Sequence, residues 1–363
     1  MISKAGCRYA IAGVRPALGG LVCLLFMFLV PAAQGAVTGL CSSCHTMHYS
    51  QDGRALPEWG ETGPYEALLT SDCGGCHMGV NDGGKIPFVF SSQQPVYGLS
   101  GSGSDSNTLA GGNFYWVVQP GGDSRGHNVA GLMPGDAILN QPPGFSGARA
   151  AADGSVPGGG TWPVGQQVTC AGVYGCHGSH AGSSPAAALR GGHHQGRGGA
   201  LISPGTDPAD GFRMLVGIAG YEDPAWEYRP TASAHNQYKG AIGGTDNSTI
   251  SSLCARCHGN FHAAEAQGSP WLRHPVDYDM GSTAPSSEYR SYGGVDLNRY
   301  RPDIPVASLN VGQPLTKVTF SGDTIIACVS CHRAHGSPYH KMMRWDYAGS
   351  IGGGCTACHT SKD

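Results

Sequence analysis

The chain has 363 residues, of which 59 are glycine and 24 proline; only 13% are charged and 8% aromatic, and the formal charge is −3. So much glycine and proline works against long regular elements, yet the charge is too low for a simple disordered tail. A conventional apolar core and a basic nucleic-acid-binding surface are both excluded as the organising feature.

Residues 1–35 read as a secretory leader. Lys4, Arg8 and Arg15 give a basic start, Leu18 to Val30 is apolar, and Ala33-Gln34-Gly35 supplies the small residues of a cleavage site after Gly35. The apolar run is short for a membrane span, and Val22 before Cys23 is too large for a lipoprotein signal. Residues 36–363 are then expected to form a single domain.

Along that domain, CSSCH begins at Cys41, TGPYEALL (62–69) reads as a short helix, and CGGCH begins at Cys73. A Gly- and Ser-rich connection, SSQQPVYGLSGSGSDSNTLAGGN, leads to NFYWVV (113–118), which reads as a strand from its aromatic and β-branched content. CAGVYGCHG (170–178) has the end of the same cysteine motif, but its first cysteine stands three places too far upstream. CARCH begins at Cys254. VTF (318–320) and TIIACV (324–329) read as a hairpin about the SGD turn, and CVSCH at Cys328 and CTACH at Cys355 complete the series. Coil with short helices at the motifs and a few short strands is expected throughout.

Five C-x-x-C-H motifs in one exported chain point to covalent haem. Cysteines three apart lie on one helical turn and can take the two vinyl groups of a porphyrin as thioethers, while the next histidine meets the iron. Zinc or disulfides give no reason for a histidine after every second cysteine. With Cys7 and Cys23 lost with the leader, the cysteines outside the five motifs (Cys41, Cys44, Cys73, Cys76, Cys254, Cys257, Cys328, Cys331, Cys355, Cys358) are Cys170 and Cys176. A sixth haem on a stretched loop accounts for them, with Gly172 permitting the bulge. A single thioether through Cys176 and a Cys170–Cys176 disulfide are the alternatives. Six stacked porphyrins would then form the interior that the composition lacks.

The proximal iron ligands are His45, His77, His177, His258, His332 and His359. Ten of the 16 histidines remain, enough for a second imidazole on every iron. His48 and His335 each lie three residues after a proximal histidine, placed for a neighbouring haem rather than their own. His127, His235 and His274 sit in haem-free segments. The sixth distal ligand comes from His193, His194, His180 or His262, with His194 taken and His340 placed last. Met47, Met78 and Met133 are read as packing around porphyrins.

The stretches LCSSCHTMHYSQ (40–51), CVSCHRAHGSPYHKMMRWDY (328–347) and GCTACHTSK (354–362) resemble the multihaem c-type cytochromes with paired C-x-x-C-H motifs of dissimilatory metal-reducing bacteria. That resemblance implies outer-sphere electron transfer and no enzymatic activity, at the cell surface or outside the cell, with the periplasm as the alternative. Some extracellular members stack end to end into conducting filaments, an N-terminal histidine ligating a haem of the next subunit; that role would fall to His48. Partners would be further copies of the chain, other multihaem cytochromes, and metal oxides or electrodes as acceptors. The stretched site at Cys170 departs from the family pattern. A monomeric carrier is the first alternative. A multihaem reductase is less favoured, because it needs an open iron and no motif here has its histidine replaced by lysine.

Overall fold

The computed structural model describes residues 39–48, 50–51, 54–55, 65–97, 107–194, 201–202, 205, 207–208, 210–243, 246–262, 274–293, 298–349 and 354–361. The leader expected over 1–35 lies outside these residues. Mostly coil, the chain carries four short α-helices among them: α1 (Cys73–Cys76), α2 (Pro185–Ala188), α3 (Ile250–Ala255) and α4 (Cys328–Cys331). Single 3-10 turns cover Cys41–Ser43 and Gly354–Ala357. Helical turns thus fall on the five C-x-x-C-H motifs, and the reason is local. In each, the histidine N–H donates to the carbonyl of the first cysteine, His45 to Cys41, His77 to Cys73, His258 to Cys254 and His359 to Cys355 at 2.9 Å, and His332 to Cys328 at 3.0 Å. Caps start the turns: Asp72 accepts from Gly75 N, and Thr249 from Ser252 N.

Strands are two or three residues long. The described sheets are β1 (Ser50–Gln51) with β2 (Arg54–Ala55), β3 (Thr169–Ala171) parallel to β4 (Gly175–His177), β5 (Leu201–Ile202), β6 (Gly220–Tyr221) and β7 (Gln237–Tyr238) in that order, and β8 (Tyr278–Asp279) with β9 (Ile325–Ile326). Three local expectations are corrected. NFYWVV is not a strand: Asn113 Oδ1 accepts from Tyr115 N and caps a 3-10 turn over Phe114–Trp116. The hairpin about SGD does not form. Ile325–Ile326 pair instead with Tyr278–Asp279, and the helical turn of the next motif takes over from Cys328. TGPYEALL gives only the turn Glu66–Leu68, broken by Ala67 at φ 57°; residues 62–64 are outside the described set.

Apolar packing is split into small clusters, and motif cysteines belong to them. Phe212, Leu215, Ile218, Tyr238, Ile250 and Ile325 form one, against which Cys176 packs. Met280, Tyr292, Tyr300, Ile304 and Val306 form a second, beside Cys358. Phe114, Val117 and Val129 form a third, beside Cys170.

One crossing fixes the middle of the molecule. Gly336 bridges both Gly112 and Gly126, and His335 N donates to Gly111 O at 2.7 Å. Gly112 has φ 87°, and a Cβ there would collide with the Gly336 carbonyl. Gly112→Ala should therefore destabilise the protein by roughly 3 kcal/mol, since both backbone strain and overpacking oppose it. Guanidinium unfolding followed by circular dichroism measures this; an unchanged midpoint would show that the crossing yields.

Candidate functional site

Four of the five short motifs present their histidines in one way. His45 Nδ1 lies 2.9 Å from Ala67 O, His77 Nδ1 2.8 Å from Pro87 O, His258 Nδ1 2.7 Å from Pro143 O and His332 Nδ1 2.9 Å from Lys341 O. At the stretched motif His177 Nδ1 lies 3.0 Å from Arg213 O. A carbonyl only accepts, so each Nδ1 carries the proton and Nε2 is left with its lone pair, the arrangement a metal-binding imidazole needs. His359 Nδ1 instead stands 3.5 Å from Glu288 Oε1.

At the stretched motif, strand pairing does what a helical turn does elsewhere. Thr169 is opposite Gly175 and Ala171 opposite His177, so Cys170 lies across from Cys176 with both side chains on one face. Neighbouring strands are about 4.8 Å apart, close to the spacing of residues three apart on a helix. The loop that reconnects them turns at Gly172, φ 93°, whose N–H donates to His177 O. No disulfide joins any of the twelve cysteines among the described residues, Cys170 and Cys176 included.

The histidines meet in pairs. Ring centres are 6.1 Å apart for His45 and His194, 6.3 Å for His77 and His193, 6.3 Å for His177 and His335, 6.1 Å for His258 and His127, and 6.1 Å for His359 and His274. An imidazole nitrogen bonds a first-row metal at about 2 Å and the ring centre lies about 1 Å further back, so two rings sharing one ion stand about 6 Å apart. Burial pushes His127, His177, His258 and His274 below the usual histidine range and His335 down to about 3, which keeps each neutral, the form that binds metal. The donor set and the spacing therefore fit haem iron between each pair.

Of the expected distal residues, His127, His194, His274 and His335 stand opposite a proximal histidine. His193, set behind His194 in the sequence reading, also does: the doublet faces two consecutive motifs. His235 does not. It is fully buried two residues before β7, edge-on to Tyr300 with ring centres 3.7 Å apart. His262 has both nitrogens engaged, Nε2 at 2.8 Å from Asp277 and Nδ1 on Arg149. His180 Nε2 bonds Gly175 O, and His340 Nδ1 bonds Tyr347. Among the described residues no imidazole faces His332. His48 is exposed near the start of the described chain. Met47, Met78 and Met133 are exposed rather than packed inside.

Each site abuts the next. His193 and His194 are sequence neighbours serving different motifs. The Cys73 and Cys170 sulfurs lie close together, as do those of Cys254 and Cys328. Cys176 lies within electrostatic reach of Cys257, His335 of His127, and Cys331 of Cys358. Several contributions were hidden from the sequence: the carbonyls on Nδ1, the Glu288 carboxylate, and the strap 334–337. That strap orients His127 through Ala334 O at 2.6 Å while carrying His335. A backbone acceptor has no residue signature, so only the fold reveals it.

Residues 321–363 match the doubled CXXCH motif family. The C-type cytochrome OmcS of Geobacter sulfurreducens is 25% identical over 364 aligned positions, covering 85% of this chain and 79% of the relative. Two solved structures from the same organism are 19% identical. The outer membrane cytochrome S filament has a TM-score of 0.43 over 86% of this chain and 84% of its own, and the OmcS nanowires a TM-score of 0.45 over 85% and 84%. The repeated cysteine turns with their histidines and the doubled-motif match at the C-terminal end suit covalent attachment of c-type haem, and along most of its length the chain is similar to a C-type cytochrome.

Proposed function

We propose that the chain binds six haems and passes electrons along them as a subunit of an extracellular filament. Thioethers come from Cys41 and Cys44, Cys73 and Cys76, Cys170 and Cys176, Cys254 and Cys257, Cys328 and Cys331, and Cys355 and Cys358. The irons sit between His45 and His194, His77 and His193, His177 and His335, His258 and His127, and His359 and His274, with His332 as the proximal ligand of the remaining site. Haem supplies a one-electron couple; the protein sets spacing, ligation and dielectric so that electrons pass from one porphyrin to the next. Two imidazoles on each iron leave no open position, which speaks against a reductase. Residues 36–363 act as one unit, exported with loss of 1–35.

A single observation carries the filament. Five proximal histidines have a facing imidazole, and His332 has none among the described residues, while His48 is exposed and unused by its own site. His48 of one copy completing the His332 site of another closes that account, and repeating the contact makes an open linear assembly rather than a closed ring. Haem sites at both ends of the mature chain support end-to-end transfer.

The test is His48→Ala in the exported protein. Long assemblies should vanish from electron micrographs, and one haem should change from low-spin to high-spin or take up an exogenous imidazole. Filaments of normal length, or a fully low-spin spectrum in dispersed wild-type monomer, would overturn the reading in favour of a monomeric carrier.

A further inference from the structure

The proximal histidines differ in what their Nδ1 meets. At five of them the acceptor is a neutral backbone carbonyl, from Ala67, Pro87, Arg213, Pro143 or Lys341. At His359 it is a carboxylate, Glu288 Oε1 at 3.5 Å. That distance is too long for a closed hydrogen bond and short enough for direct ionic interaction. Glu288 is held in place: it opens the 3-10 turn Glu288–Ser291 behind the Ser287 cap, and its other oxygen accepts from Ser361 N at 3.0 Å and from Ser361 Oγ. Ser361 lies two residues beyond His359, so the chain after the motif is tied to the carboxylate beside it. Tyr289 packs edge-on to the His359 ring with centres 5.2 Å apart, fixing its plane. Arg290, the neighbouring cation, is directed away. It donates to Gly281 O and Thr283 O and lies over the Phe320 ring.

A charged acceptor on the outer nitrogen of a metal-bound imidazole draws the Nδ1 proton and makes the inner nitrogen a stronger donor. Stronger donation stabilises the oxidised iron more than the reduced iron, so the potential falls. A negative charge near the iron acts in the same direction.

We infer that Glu288 is a positioning residue that acts through His359 to set the haem at Cys355 and Cys358 to a lower reduction potential than a carbonyl acceptor would give. This rests on the reading of His359 as a proximal iron ligand. The chain then carries a built-in asymmetry: five sites share one outer contact, and the site nearest the C-terminus has another.

The experiment compares wild-type holoprotein with Glu288→Gln, which keeps the side-chain length and an acceptor oxygen but removes the charge. Redox titration followed by visible absorption and electron paramagnetic resonance should show one haem moved to higher potential and the others unmoved, with all haems retained and low-spin. Identical titration curves for the two proteins would overturn the inference. Should Glu288→Gln fail to accumulate, Glu288→Asp withdraws the charge by one methylene and should move the same haem in the same direction by less; no movement there also overturns it. The underlying reading fails separately: a wild-type peptide map without haem on Cys355 and Cys358 removes His359 as a ligand and the inference with it.

Discussion

Cys170→Ser combined with Cys176→Ser should yield an exported protein one haem lighter than wild type and unable to carry current from end to end. The two cysteines stand opposite each other across β3 and β4, so together they offer one porphyrin the same pair of anchors that a helical turn offers elsewhere. Either single substitution leaves one sulfur and should retain the haem through a single thioether. The double variant has none. The loss falls in the middle of the series, because this site abuts the CGGCH site through Cys73 and the CARCH site through Cys257. Hopping weakens steeply with separation, and its neighbours would have to exchange electrons across the width of the missing porphyrin. Stability should fall too. Without iron the His335 nitrogen that faces His177 loses its partner inside the protein, at a cost of roughly 1–3 kcal/mol. Intact-mass analysis counts the haems, and conductance across dried films reads the gap. A double variant with the wild-type mass increment would show that these cysteines do not anchor a haem.

Local chemistry was legible in the sequence and long-range placement was not. The turns at Cys41, Cys73, Cys254, Cys328 and Cys355 follow from a spacing that one helical turn satisfies by itself. That Cys170 and Cys176 belong together was legible from their being the pair the five motifs leave unclaimed, although their pairing across parallel strands six residues apart in the chain was not. Which imidazole faces which is decided by segments far apart in sequence. His335 meets His177 because the strap 334–337 crosses Gly112 and Gly126. His235 looked as suitable as His274, since both lie in haem-free stretches. The residues around His235 have other work: Asn236 accepts from Asp223 N and from Arg213, and Gln237–Tyr238 join β6. Strand propensity misled at NFYWVV and TIIACV for a related reason. Aromatic and β-branched residues favour a half-buried pleated surface, but these pack in short turns where an Asn cap or a cysteine motif dictates the backbone.

Deprived of haem attachment, the same chain should fail to fold. Expression in a compartment that lacks the thioether-forming machinery should give a polypeptide with no cooperative unfolding transition and rapid digestion by protease, while the holoprotein resists both. The protein's own apolar clusters are small and separate, and the one around Phe114, Val117 and Val129 has three buried members. Between the clusters stand five pairs of imidazoles whose ring centres are 6.1–6.3 Å apart. Without a porphyrin these slots hold water or collapse, and neither repays the conformational entropy of ordering a chain with 59 glycines, about 1–2 kcal/mol for each residue's backbone. With the porphyrin, one rigid apolar plate is tied to two cysteines and two histidines and contributes both a cross-link and a buried surface, as metals and disulfides do in other chains short of a core. Amide hydrogen exchange offers the sharpest reading. In the holoprotein, protection should be highest at the histidine N–H groups that close the five turns, and in the haem-free chain it should be lost there as fully as at exposed loops. A haem-free form that keeps slow exchange at His77, His258 and His332 would show that the polypeptide alone specifies these turns.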